Sequence, residues 1–149
     1  MNKKILPSTT KKARQRSDAN LNAEIRNQTI SNINIYKTAS PQIKNNRISA
    51  LDHEWDIERF VETNTALIVL FTSLLGIKKS ICFLITGLAG FFMLQHALTG
   101  WCPFLKCIRK TGIRTSEEIS NEKTVMKILR GDFDQKPDDA EEMLRITEL

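Results

Sequence analysis

Two stretches of this chain, Thr63 to Ile77 and Ser80 to Leu105, contain no Lys, Arg, Asp or Glu, and only Lys78 and Lys79 stand between them. A soluble amphipathic helix interleaves polar residues at a period of 3.6, whereas an apolar run without that interleaving needs surroundings as apolar as itself. The first run centres on Leu67-Ile68-Val69-Leu70-Phe71, and Leu67 to Leu75 offers only Thr72 and Ser73 as polar positions. From Phe60 to Ile77 a helix covers about 27 Å, the short end of a bilayer's hydrocarbon thickness, with Glu62 close enough to its start to reach the headgroups. The second run, with Ile81-Cys82-Phe83-Leu84-Ile85 and Gly90-Phe91-Phe92-Met93-Leu94, is long enough to cross. Gly76 to Ser80 leaves room for a tight turn only, so the two helices are antiparallel neighbours. The expected fold class is all-α: an integral membrane protein built on an antiparallel two-helix transmembrane hairpin, over about 60–77 and 81–102, with cytoplasmic amphipathic flanking helices. The hairpin begins too far into the chain, and is followed too closely by a second apolar run, to read as a secretory signal, so it is expected to remain in the mature protein.

Orientation follows from the basic residues near the membrane ends. Lys44, Arg47 and Arg59 precede the hairpin and Lys106, Arg109, Lys110 and Arg114 follow it, seven against the two lysines of the turn. The positive-inside rule then puts both termini in the cytoplasm, in a multi-pass protein of a bacterial inner membrane. The first 47 residues hold ten Lys or Arg against Asp18 and Glu24, a local charge of +8. Residues 1–17, with Lys3, Lys4, Lys11, Lys12, Arg14 and Arg16, read as a disordered basic arm whose simplest partner is anionic lipid. Nucleic acid is not expected, because neither interleaved aromatics nor a recognition helix accompanies the charge.

The flanks carry helix signals. Asp18 can cap a helix with Leu21, Ile25, Ile33 and Tyr36 on one stripe, ending before Ser40-Pro41. Ser40 and Pro41 open the next, with Ile48, Leu51 and Trp55 on one face, and nothing before Gly76 interrupts it, so it is expected to run from the cytoplasm into the bilayer. Thr115-Ser116-Glu117-Glu118 fits a capping box, with Ile119, Met126 and Leu129 as the buried stripe and Gly131 as the stop. Lys136-Pro137-Asp138-Asp139 restarts a last acidic segment, 135–149, carrying Ala140, Met143 and Leu144.

Catalytic constellations are absent: two histidines support no Ser-His-Asp order and no His-Glu-x-x-His, and the carboxylates fall on faces expected to be solvated. The chain is therefore not expected to be an enzyme or to hold a cofactor. Gln95 and His96 form an intramembrane polar pair that can hydrogen-bond a neighbouring helix or a headgroup, relay a proton or bind a metal. Cys102, with Cys107 five residues on, raises thiol or metal chemistry, but structural zinc needs four closely spaced ligands and His53 is the only other histidine, so no metal is expected. As a structural residue Cys102 fills an apolar gap, Pro103 ends the regular helix and Trp101 anchors it at headgroup level. As a reactive thiol it would draw on Lys106, Arg109 and Lys110 to lower its pKa, against an apolar environment that raises it. Thr72 with Gly76 and Thr86 with Gly90, beside Gly87, are small residues at a spacing that lets helices approach closely.

Leu51-Asp52-His53-Glu54-Trp55-Asp56-Ile57-Glu58-Arg59, Leu94-Gln95-His96-Ala97-Leu98-Thr99-Gly100-Trp101-Cys102-Pro103, Thr111-Gly112-Ile113-Arg114-Thr115 and Leu129-Arg130-Gly131-Asp132-Phe133 resemble the YgaP-like inner-membrane domain family. The resemblance spans about Asp18 to Asp134 and implies a bacterial two-helix membrane domain of unknown function. Some members carry it beside a rhodanese sulfurtransferase module, which has no counterpart here. Glu54, Trp55, Asp56, Glu58, Arg59, Gly100, Cys102, Pro103, Gly131 and Asp132 are the motif positions. The expected function is a non-enzymatic anchor or scaffold in the lipid bilayer, acting through its cytoplasmic helices on itself as a homo-oligomer or on a protein partner. The alternative is a sulfur-carrier or redox role at Cys102 alongside a separate sulfurtransferase.

Overall fold

The computed structural model describes residues 7–134 together with Glu141, Leu144, Arg145 and Thr147. Lys3 and Lys4 of the basic arm, and Lys136 to Ala140 and Met143 of the acidic tail, lie outside the described residues. Seven helices follow in order among the described residues: α1 (Lys12–Arg16), α2 (Ala19–Lys37), α3 (Pro41–Asp52), α4 (Ile57–Gly76), α5 (Ile81–Thr99), α6 (Leu105–Lys110) and α7 (Ser116–Arg130). No strand occurs among them, only an isolated bridge at Asp56 and Arg114, where the Ile57 N–H donates to the Arg114 carbonyl at 3.0 Å.

Local chemistry accounts for most boundaries. The Asp18 carboxylate accepts from the Asn20 N–H at 2.9 Å and opens α2. Pro41 takes the first position of α3, where its missing N–H costs nothing. The expected continuous helix from Pro41 to Gly76 is broken in two: α3 stops at Asp52, and Asp56 restarts the chain as the N-cap of α4, accepting from the Arg59 N–H at 2.8 Å. A cap residue in extended backbone, with acidic Glu58 in the first turn, favours a new helix start over continuation, and the periodicity of apolar residues could not register it. The second apolar helix ends at Thr99 and not at 102, because Gly100 adopts left-handed φ 74° and its N–H donates to the His96 carbonyl at 2.8 Å.

The chain divides into two compact units, Met1–Ile25 with Trp55–Glu117, and Arg26–Glu54 with Glu118–Leu149. In the first, α4 and α5 pack antiparallel through the turn at 77–80. At their turn end the Phe83 ring lies against Gly76, where a Cβ would stand 2.8 Å from it and the ring would have to shift. About one turn further along, the Thr72 and Thr86 hydroxyls hydrogen-bond across the pair at 2.7 Å. The buried core gathers at the opposite end: Ile57 and Val61 of α4 meet Cys102, Leu105, Ile108 and Ala13. Away from that end the hairpin is an apolar surface, with Leu70, Phe71, Leu74, Leu84, Phe91 and Leu94 exposed.

Within the described part of the arm expected to be disordered, residues 12–16 are helical and Ala13 is 1% exposed within the core. One small alanine among the cations, with Gly100 to receive it, is enough to dock α1, and composition does not reveal such a pairing.

The second unit packs Ile48 and Leu51 of α3 against Ile119 and Met126 of α7, with Ile33, Tyr36 and Leu129 at the margin. Inside it Glu122 is fully buried and accepts from the Arg47 guanidinium at 2.6 and 2.9 Å, while that guanidinium lies 5.7 Å from the Tyr36 ring centre. The expectation that every carboxylate is solvated fails here. Burying such a pair needs hydrogen bonds to offset the lost hydration, and the two from Arg47 contribute to that. Gly131 follows α7 at φ 94° as the expected stop.

Candidate functional site at the core end of the hairpin

The residues that bear chemistry converge where α4 begins and α5 ends. Gly100 is held from two sides: its φ suits glycine, and a Cβ there would stand 2.4 Å from the Lys12 carbonyl carbon and 2.7 Å from the Ala13 nitrogen. The close approach seats α1, whose Lys12 ammonium donates to the Ala97 carbonyl at 3.1 Å. Nearby, Arg109 is 1% exposed and donates to the Asn22 side chain at 2.6 Å, and Lys106 pairs with Asp18 at 3.6 Å.

His96 lies at this end of α5, 2% exposed, with no hydrogen-bond partner on either ring nitrogen. Gln95 is half-buried beside it, its backbone carbonyl accepting from the Thr99 hydroxyl at 2.8 Å. Glu58, in the first turn of α4, also has a buried carboxylate oxygen without a partner. Burial raises its pKa above the ordinary carboxylate value, with help from Asp56 and Glu62, while its own backbone N–H and Lys12 oppose the rise. Arg59 stacks over the Trp55 ring at 5.0 Å from its centre.

Cys102 is 6% exposed and belongs to the apolar core. Burial pushes its thiol pKa up, and backbone N–H groups of Phe104 and Leu105 offset part of the rise. Cys107 is exposed on α6 and Cys82 half-buried on α5. Cys102 and Cys107 both line an apolar groove of about 550 Å³ between α4, α5 and α6. A smaller hollow of about 280 Å³ beside Cys102 is polar, with Arg16, Ser17 and Lys106 in its wall.

Of the motif positions, Trp55, Asp56, Glu58, Arg59, Gly100, Cys102 and Pro103 share the first unit, whereas Glu54, Gly131 and Asp132 belong to the second. There Asp132 pairs with Arg130 through two short hydrogen bonds. Among the described residues, no group of three or more His, Cys, Asp or Glu is placed to hold a metal ion. Sequence reasoning gave Lys12 to the lipid-facing arm and Arg109 to the surroundings of the Cys102 thiol, and missed Ala13 and Glu122. Only Gly100 gave a signal, since a glycine at a helix end can admit a neighbouring backbone as well as a left-handed turn.

An all-helical chain with an apolar hairpin, and a core confined to one end of it, belongs to the class of membrane proteins. Among the described helices Ile81–Thr99 is long and apolar enough to cross a bilayer, at mean hydropathy 1.8 and with almost none of its length buried. Residues 56–118 match the family described as inner membrane protein YgaP-like, transmembrane domain. The match is narrower than the 18–134 suggested by the motifs and nearly coincides with the larger segment of the first unit. No curated protein and no solved structure matches the chain.

Proposed function

We propose that the chain is a non-enzymatic, two-span inner-membrane anchor whose hairpin crosses over residues 60–77 and 81–99, with both termini in the cytoplasm and the helices of the second unit presented there as a scaffold. The observation that carries this reading is the asymmetry of burial in the first unit. The core closes off one end of the hairpin, and the remaining length of both helices offers large apolar side chains outward. A soluble monomer rarely leaves so long an apolar surface uncovered, and a bilayer covers it without further protein. The first helix is the weaker span because Glu62 and Asn64 fall within its first turns. Its partner compensates through close packing, with the Thr72–Thr86 bond satisfying both hydroxyls in the apolar interior. Reporter fusions test the topology: alkaline phosphatase after Leu149 is expected to be inactive and a cytoplasmic reporter active, and the reverse pattern overturns the orientation. A reactive-thiol role at Cys102 has less support, since burial raises the pKa of that thiol.

A further inference from the structure

The smaller, polar hollow joins Arg16, Ser17 and Asp18, at the end of α1, to Trp101, Cys102 and Lys106, across the junction of α5 and α6. All of these residues belong to the first unit. Three neutral donors of its wall are already used. The Ser17 hydroxyl donates to the Ala13 carbonyl at 2.8 Å, the Trp101 backbone N–H to the Thr99 hydroxyl at 3.3 Å and the Leu105 N–H to the Cys102 carbonyl at 3.1 Å. The cations are not used in that way. Arg16 is exposed and makes no hydrogen bond or ion pair among the described residues. Lys106 meets Asp18 at 3.6 Å, longer than a hydrogen bond, and 66% of its side chain is exposed, so that pair holds it weakly. One oxygen of Asp18 is in turn committed to the Asn20 N–H. The wall therefore carries two cations against one carboxylate, a net charge of +1. Trp101, 41% exposed just past the end of α5, lines the same hollow, at the level where amphipathic aromatics meet headgroups.

We infer that this hollow binds a phosphate group of net negative charge, with the Arg16 guanidinium and the Lys106 ammonium as its ligands. An arginine fork gives two parallel hydrogen bonds to phosphate oxygens, and a lysine adds a point charge beside them. The inference rests on the membrane reading above, which brings phospholipid phosphates to the level of Trp101, although the same two cations suit a free phosphate. A net charge of +1 on the wall selects a singly negative headgroup, such as phosphatidylglycerol, over the zwitterionic phosphatidylcholine.

The test is amine acetylation of the full chain in nonionic detergent micelles, followed at each lysine by mass spectrometry and read as the ratio of rates with and without additive. Phosphatidylglycerol in the micelles is expected to slow Lys106 several-fold and phosphatidylcholine to leave it unchanged, while Lys110, which does not line the hollow, keeps its rate in both. Arg16→Gln, at an exposed position, should raise the phosphatidylglycerol fraction that gives half-protection about fivefold. Lys11→Gln removes the same charge from the same arm outside the hollow and should leave that fraction unchanged. Inorganic phosphate at the same phosphate concentration separates the sources: protection by phosphatidylglycerol alone assigns a lipid headgroup, and protection by inorganic phosphate assigns a site open to free anions. A single Lys106 rate in every condition, equal protection by phosphatidylcholine, protection shared by Lys110, or equal losses in Arg16→Gln and Lys11→Gln would each overturn the proposal. Flotation with vesicles after alkaline carbonate is read separately, so that a chain failing to float refutes the membrane reading, and one that floats without Lys106 protection refutes the phosphate site alone.

Discussion

At Gly100 two demands coincide, a left-handed backbone and contact with the main chain of Lys12 and Ala13. Alanine there meets both penalties. Left-handed backbone costs a non-glycine residue about 1–2 kcal/mol, and a Cβ 2.4 Å from a carbonyl carbon forces α1 away. We expect Gly100→Ala to expose Lys11 and Lys12 to trypsin while leaving the hairpin inserted, and resistance equal to the parent would show that α1 is held by other contacts. Cys102 gives a second residue-scale prediction. The folded chain holds that thiol above the 9.0 of a free cysteine, so it binds its proton more tightly folded than unfolded. That contribution is fully present below about pH 9 and is lost as pH rises through the raised folded value. Alkylation at neutral pH should therefore label Cys107 well before Cys102, with the Cys102 rate still climbing beyond pH 9. Equal rates at neutral pH would show that the thiol is reachable and ionised, and would return the sulfur-carrier reading to the front.

Among elements, the hairpin depends on the Thr72–Thr86 bond, one of the few polar contacts between its two helices. Hydrogen bonds between membrane helices are worth about 0.6 kcal/mol on average, so Thr72→Val and Thr86→Val should each cost little and couple by about that amount in a double-mutant cycle. A coupling near zero would mean that each hydroxyl gives its one hydrogen to a carbonyl of its own helix, Ile68 for Thr72 and Cys82 for Thr86, both within hydrogen-bond distance. The start of α4 is a firmer dependence. Replacing Asp56 by Ala removes the acceptor for the Arg59 N–H and is expected to cost about 1 kcal/mol, measured by detergent unfolding.

The helices themselves were legible in the sequence because each has a local signature: Asp18 before α2, Pro41 at the head of α3, and unbroken apolar runs for α4 and α5. The break at 53–56 was not, because Trp55 continues the apolar spacing of α3 while the deciding event is a carboxylate turning onto a backbone N–H. At the candidate site, Gly100, Cys102 and His96 could be picked out by residue type. Lys12 and Ala13 could not, since their role is fixed by a contact across 88 residues of chain. Glu122 was hidden for the opposite reason: its helix pattern reads as solvated until Arg47 arrives from another element.

At the scale of the whole molecule, charge and burial divide the chain in the same way. Between residues 63 and 105 the only charged residues are Lys78 and Lys79 in the turn, and all other basic and acidic residues lie before or after that stretch. In sealed vesicles, trypsin added to the cytoplasmic face should therefore remove the flanks and spare the turn, while trypsin on the opposite face should reach only Lys78 and Lys79. Cleavage in both flanks from the face that also cuts the turn would overturn the two-span arrangement.

The meeting of Lys12 and Ala13 with Gly100 also sets an order in time. A ribosome adding about 5–20 residues per second needs roughly 4–18 s to pass from residue 12 to residue 100. During that interval α1 has no partner to dock on, and its cations are free while both apolar segments are being made and inserted. The first unit closes only when Gly100 emerges, and Arg26–Glu54 of the second waits longer still for Glu118–Leu149. Each unit is thus completed by its later segment, so a nascent chain that stalls between the two apolar runs holds neither core.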